Sequence, residues 1–248
     1  MFLRMVTHII HAEESEKNAE TYARSVLSAL RSTQGCAFAS LMQNTANPQE
    51  CISLTIWDSR KASTDYEESG LYLKLVDSLR PYFLESTEWK LELSEDLSLE
   101  YTPLKVEPTV ERFDESVADS GNIFRLRANP FAVHLLTLSV NEEQRAAFKS
   151  TFSTVVHPKY KLHKGFIDLV MVRQERKFHI ISFWDETVDI GPSSGIQSID
   201  QLIESIYKVL PSFVRWRISH TNDVHMSSSS EDLRSATYRC LTAEWFTR

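Results

Sequence analysis

Gly35-Cys-Ala-Phe-Ala-Ser-Leu41, followed after a turn by Ile52-Ser-Leu-Thr-Ile-Trp57-Asp58, returns later in the chain as Gly165-Phe-Ile-Asp-Leu-Val-Met171 and Ile180-Ile-Ser-Phe-Trp184-Asp185. In each copy a glycine opens an apolar run, a turn follows, and a second run rich in Ile ends in Trp-Asp. That is the pattern of a β-hairpin. Asn44-Thr-Ala-Asn-Pro48 supplies the turn of the first. Moving outward, Pro81-Tyr-Phe83 and Trp89 are answered by Pro211-Ser-Phe213 and Trp216, and Phe2 with Glu13-Glu14 by Phe131 with Glu142-Glu143. Landmarks that keep their order, with small length changes at loops, mark an internal repeat.

Each copy reads as strand, helix, strand, strand, helix, strand. In the first, residues 2–10 are apolar and β-branched enough for a strand. Residues 15–32 place Ala19, Tyr22, Ala23, Val26 and Leu30 at helical spacing. Leu71, Leu75 and Leu79 mark a second helix, and residues 87–93 close the unit. In the second copy, Asn141 is placed to cap a helix that opens with Glu142-Glu143-Gln144. The expected organisation is one repeat over 1–94, a connection over 95–130, a second repeat over 131–220, and a tail from 221 to 248. The connection holds Pro103, Pro108 and Pro130, with an extra edge strand near 97–101. The tail contains Met226-Ser-Ser-Ser-Ser230 and is expected to be flexible, with its Trp245-Phe246 end docked on the body.

The 248 residues carry a net charge of −7, which argues against nucleic acid as a partner. No apolar run approaches the ~20 residues that span a bilayer, so a cytoplasmic protein is expected. Cys36, Cys51 and Cys240 lack CxxC spacing and read as free thiols. Neither a GxSxG elbow nor a glycine-rich phosphate loop is present, and no histidine and carboxylate set has metal-ligand spacing.

The βαββαβ order, the glycine opening strand two, and the endings Ile56-Trp57-Asp58 and Phe183-Trp184-Asp185 resemble the antibiotic biosynthesis monooxygenase (ABM) superfamily. The resemblance implies an α+β fold in which two ferredoxin-like repeats form a pseudo-dimeric α/β barrel inside one chain. It implies a monomer, and cofactor-independent oxidation or binding of a small planar aromatic molecule. It leaves open a non-catalytic ligand-binding or protein-interaction module. Heme-degrading relatives use an Asn on strand one and a His about ten residues beyond the Trp. Here strand one has no Asn, and the later position offers Tyr66, Glu67 and Glu68, so heme is not the expected cofactor.

Alternation along strand one puts Arg4 and His8 on one face and Met5 on the other. An imidazole beside a substrate phenol can act as a base, so His8 and Trp57 are the candidate catalytic residues. The alternatives are a structural histidine and a core indole. A constant cross-strand register sets Gly35 opposite Trp57 and Gly165 opposite Trp184. The Trp57 face then carries Ala37, Ala39, Ser53 and Thr55, where the Trp184 face carries Ile167, Leu169, Ile180 and Ser182. The smaller side chains predict a pocket beside Trp57 in the first repeat only. Its candidate binding residues are Arg4, Ala37, Ala39, Ser53, Thr55, Tyr66 and Tyr72.

Overall fold

The computed structural model describes residues 2–93, 99–113, 115–119, 131–186, 212, 215 and 233–246. The expected last strand of the second repeat, with Trp216, lies outside them, as do the Ser-rich part of the tail and all but two residues of the preceding helix.

The first repeat runs β1 (Phe2–Ile9), a long helix, β2 (Cys36–Asn44), β3 (Glu50–Trp57), α3 (Arg60–Glu68) and α4 (Leu71–Leu79). The long helix is α1 (Ser15–Thr21) and α2 (Ser28–Ser32) joined by a π-helical turn at Tyr22–Leu27. The Ser59 side chain caps α3 by accepting from the Ala62 backbone N–H. Gly70, at φ +75°, makes the left-handed step between α3 and α4. In the second repeat β8 (Phe131–Ser139) leads into α5 (Arg145–Thr151), a π-helical turn at Phe152–Val156 and α6 (His157–Lys161). A hairpin of β9 (Phe166–Gln174) and β10 (Lys177–Asp185) follows.

The two repeats agree down to single hydrogen bonds. The Trp57 indole donates to Thr55 Oγ1 at 2.9 Å, and Thr55 Oγ1 donates to the Arg4 carbonyl. Trp184 donates to Ser182 Oγ at 2.9 Å, and Ser182 donates to the His134 carbonyl. Asp58 N–H meets the Gly35 carbonyl and Asp185 N–H meets that of Gly165, both at 2.8 Å. Both glycines have positive φ, as the turn from helix into strand requires.

All these strands share one antiparallel sheet. The order β1-β3-β2 in one half repeats as β8-β10-β9 in the other. Two junctions complete it. The tail supplies β11 (Leu233–Trp245), which is hydrogen-bonded to β2 on one side and β8 on the other. The connection supplies β6 (Thr109–Arg112) beside β1 and β7 (Glu115–Asp119) beside β9. These last two are the sheet's outer edges, and only residues 113 and 114 separate them, a span on the order of 10 Å. The sheet therefore curls round until its edges nearly meet. Leu3, Met5, Phe38, Ile56, Val133, Leu135, Ile181, Phe183 and Tyr238 fill the interior from both halves, with Phe113 between the edges. The helices of the first repeat lie outside, over a second apolar layer that includes Tyr22, Leu30, Trp57, Leu79 and Phe246.

The α+β class and the paired ferredoxin-like repeats stand. Five details differ from the sequence reading. The closing strand, β4 (Glu85–Leu93), leaves the main sheet and pairs with β5 (Leu99–Lys105) in a separate hairpin, while Phe83 just before it forms an isolated bridge with Ile10. Within the expected connection, Thr109–Arg112 and Glu115–Asp119 are strands that cover the edges of β1 and β9. The tail end is a central strand, since β2 and β8 would otherwise present open edges to each other. The register of β2 on β3 is displaced by a bulge. Cys36 lies opposite Trp57 and Phe38 opposite Ile56, leaving Ala37 in the bulge. Phe166 and Trp184 repeat this arrangement in the second copy. The pairings also align Phe2 with Ala132 rather than Phe131, so Arg4 corresponds to His134.

Candidate functional site

A cavity lies between the sheet and the helices of the first repeat. Arg4, Val6 and His8 of β1 form its floor with Ser53 and Thr55 of β3. Tyr22, Val26 and Leu30 enter from the long helix, and Tyr66, Tyr72 and Leu75 from α3 and α4. Strand alternation explains the floor: residues 4, 6 and 8 point outward while Leu3 and Met5 point into the barrel. Pro108, just before β6, lies at the rim with Tyr72, and both are half-buried. The volume is about 40 Å³. That is room for two or three waters, and well short of the ~150 Å³ that holds a benzene ring. A ring-sized ligand must therefore move a wall, and the half-buried Tyr72 is the side chain freest to swing.

The electrostatics centre on Arg4, whose side chain is only 2% exposed. Its Nε donates to Glu67 Oε1 at 2.8 Å, and its guanidinium carbon sits 4.2 Å from the centroid of the Tyr72 ring. Arg112, paired with Arg4 across β1 and β6, donates to the same Glu67 carboxylate. Burial alone would raise the Glu67 carboxyl. The hydrogen bond from Arg112 and the charges of both arginines outweigh burial and hold it below its ordinary value. Arg4 Nη2 is buried and has no hydrogen-bond partner.

His8 stands four residues along the same strand, on the order of 13 Å away at Cα. Its ring lies against Phe83 at 5.3 Å. Burial lowers its pKa to about 4, against a weaker opposing hydrogen bond that the ring donates to the Val6 backbone carbonyl. It is neutral at ordinary pH, and its Nε2 is buried and unpartnered. Tyr22 donates to the Ser40 carbonyl and shares a 2.6 Å hydrogen bond with Ser53 Oγ. Burial pushes the phenols of Tyr22, Tyr66 and Tyr72 upward, so all three stay protonated.

Six of the nine residues singled out from the sequence line this cavity: Arg4, His8, Ser53, Thr55, Tyr66 and Tyr72. Trp57 does not. It is fully buried, 5.0 Å from the Tyr66 ring, and reaches the cavity only through Tyr66 and Thr55. Ala37 sits in the bulge, and Ala39 is buried in the layer under the helices; neither lines the cavity. The sequence reading missed Glu67 and Arg112 as a unit with Arg4. Glu67 was seen only as the residue standing where a histidine was sought, and Arg112 sits on a strand of the connection that carries no periodic signal. In the second repeat Trp184 is enclosed by Tyr160, His163 and Phe166. Among the described residues no group of three or more His, Cys, Asp or Glu is arranged to hold a metal ion. None of their helices is long and apolar enough to cross a membrane.

Residues 1–78 match the family model for antibiotic biosynthesis monooxygenase. Among curated proteins, none matches the sequence significantly. Solved structures share the fold at low identity. A proposed monooxygenase from Lactobacillus acidophilus NCFM superposes with a TM-score of 0.58 at 7% identity, covering 98% of this chain and 95% of the other. One from Fusobacterium nucleatum gives 0.56 at 10% identity, covering 98% and 94%. An anthrone oxidase-like protein gives 0.55 at 8%, covering 100% and 94%. The resemblance to antibiotic biosynthesis monooxygenases therefore holds as a match of the family model over residues 1–78, within a fold shared over nearly the whole chain with these structures.

Proposed function

We propose that the protein is an ABM-type monooxygenase acting on a small planar aromatic molecule held in the cavity of the first repeat. One observation carries the reading. Two buried polar atoms without partners, Arg4 Nη2 and His8 Nε2, belong to residues that line the same cavity. Each lacks a protein partner, and a ligand with polar groups at both ends satisfies both. Between them Val6, Val26, Leu75 and the Tyr66 ring offer an apolar slot for a flat body. Cofactor-independent oxidation of such a molecule needs only dioxygen: an activated CH2 becomes C=O, and the second oxygen atom leaves as water with the two hydrogens. His8 Nε2 accepts the hydrogen bond of a substrate hydroxyl and is the base for its proton. Trp57 positions Thr55 and Tyr66 rather than touching substrate.

A second reading, binding without turnover, is favoured by the low His8 pKa, which makes the imidazole a weak base until ligand changes its surroundings. Oxygen uptake and thermal shift, measured with an anthrone as probe, separate the two. Uptake above the buffer rate that falls at least tenfold in His8→Leu supports catalysis. A thermal shift without uptake supports binding alone. No shift and no uptake across a panel of anthrones and naphthols would sink both. Because the two repeats already pair within one chain, the working unit is a monomer, which light scattering checks.

A further inference from the structure

The cavity reading can be taken to a ligand class. Arg4 brings one positive charge to the cavity wall, Arg112 brings a second beside it, and Glu67 neutralises one of the two. The cluster is left with a net charge of +1, most of it on a guanidinium removed from water. A buried cation is held by hydrogen bonds and counter-charge. Arg4 has a hydrogen bond at Nε, the Tyr66 and Tyr72 rings against its guanidinium and a side-chain hydrogen bond with Tyr72, while Nη2 has no protein partner. A ligand carboxylate at Nη2 would form a charge-assisted hydrogen bond, stronger than a neutral acceptor gives. Glu67 meets Arg4 at Nε and is shared with Arg112.

Resting on the site proposed above, the structure assigns the cavity to a monoanionic planar acid, its carboxylate or ionised enol on Arg4 and its far polar group toward His8. Specificity then follows from charge. A neutral analogue of the same shape leaves Nη2 unpaired and surrenders a charge-assisted hydrogen bond. Glu67 becomes a specificity-determining residue, since its carboxylate competes with the ligand for Arg4.

The test uses the full chain and a matched probe pair, 6-hydroxy-2-naphthoic acid and 6-hydroxy-2-naphthamide, titrated by calorimetry at pH 7.5. The expected result is acid binding at least tenfold tighter than amide. Arg4→Met should abolish that preference, bringing acid down to the amide's affinity. Glu67→Gln, which removes the competing carboxylate, should tighten acid severalfold and leave amide unchanged. Equal affinity of acid and amide in the parent protein overturns the acid inference and leaves the cavity reading standing. So does an acid preference that survives in Arg4→Met, or weaker acid binding in Glu67→Gln. Binding of neither probe overturns both. Should Arg4→Met fail to fold by circular dichroism, the parent comparison and Glu67→Gln decide.

Discussion

Three buried histidines make acid the natural probe of this fold. His8, His134 and His179 are 3%, 3% and 1% exposed, and burial lowers each from 6.5 to about 4. In the unfolded chain these imidazoles take a proton near pH 6.5, whereas in the native state they resist until about pH 4. Unfolding between those values therefore takes up protons. The stability that rests on neutral imidazoles is fully present above pH 6.5 and is lost as pH falls through the native pKa. A shift of this size is worth about 3 kcal/mol per histidine, with a slope of about 1.4 kcal/mol per pH unit each. Three together give a slope of about 4 kcal/mol per unit near pH 5. Glu111, raised by burial, offsets part of this by taking a proton in the native state first. Glu67 and Glu85 lie below their ordinary value, so their share is lost only under about pH 4.5. His8→Leu installs the residue type of the second repeat, where Leu138 stands at the matching place. Urea unfolding from pH 4.5 to 8 should show the slope near pH 5 fall by about 1.4 kcal/mol per pH unit, equal to one proton fewer taken up. At pH 8 the variant should be no less stable than the parent by more than ~1 kcal/mol, because the orphaned Nε2 leaves with the ring. An unchanged slope would refute the reasoning.

Gly35→Ala should be far more damaging than Gly70→Ala. A Cβ at 35 would meet Ala62 Cβ at 2.3 Å, while one at 70 meets nothing within 4 Å and carries only the ~1–2 kcal/mol of a left-handed residue; equal melting temperatures would contradict this. Phe246→Ala removes the side chain that ties the end of β11 to the layer under the helices. It should cost about 3–5 kcal/mol, read as a fall of roughly 6–20 °C in Tm; a fall under about 3 °C would mean that β11 is held by its backbone pairing alone. Ala39→Leu should cost ~1–3 kcal/mol, because Ala39 is fully buried beside Thr55 and Glu244 and the cavity offers it no room. Denaturant titration checks this, and a neutral result would place open space next to Ala39.

The repeat was legible because hairpin, glycine and Trp-Asp are local signals, and local signals survive when most other positions diverge. The polar face of β1 was legible for the same reason, since alternation alone sends Arg4 and His8 outward together. Register was not, because a bulge adds one residue to one strand without leaving a compositional mark. Ala37 and Ala39 were misplaced as cavity residues on that account. The strand nature of residues 233–245 was hidden by isolation. The segment follows a Ser-rich stretch, and its partners, β2 and β8, are nearly two hundred and about a hundred residues away. Likewise, nothing in Thr109–Arg112 announces that Arg112 meets Glu67, since a four-residue edge strand is defined by what it pairs with.

Equivalent places in the two repeats show why the first holds the site. Arg4 answers to His134, whose Nε2 already has Ser235 Oγ at 2.9 Å. Ser53 answers to Ile180, His8 to Leu138, and Tyr22 to Phe152 at the head of the matching π-helical turn. Four polar groups around one cavity thus become three apolar groups and one histidine bonded to the closing strand. Both repeats keep the hydrogen bonds that build the fold, from indole to hydroxyl to strand-one carbonyl. The second repeat keeps buried atoms without a protein partner as well, at His134 Nδ1 and His179 Nε2. The candidate site of the first repeat is therefore marked by where its polar groups converge, on one cavity, and not by unpaired atoms alone. β6 lies directly against β1, the strand of Arg4 and His8, and β11 joins the two halves through β2 and β8.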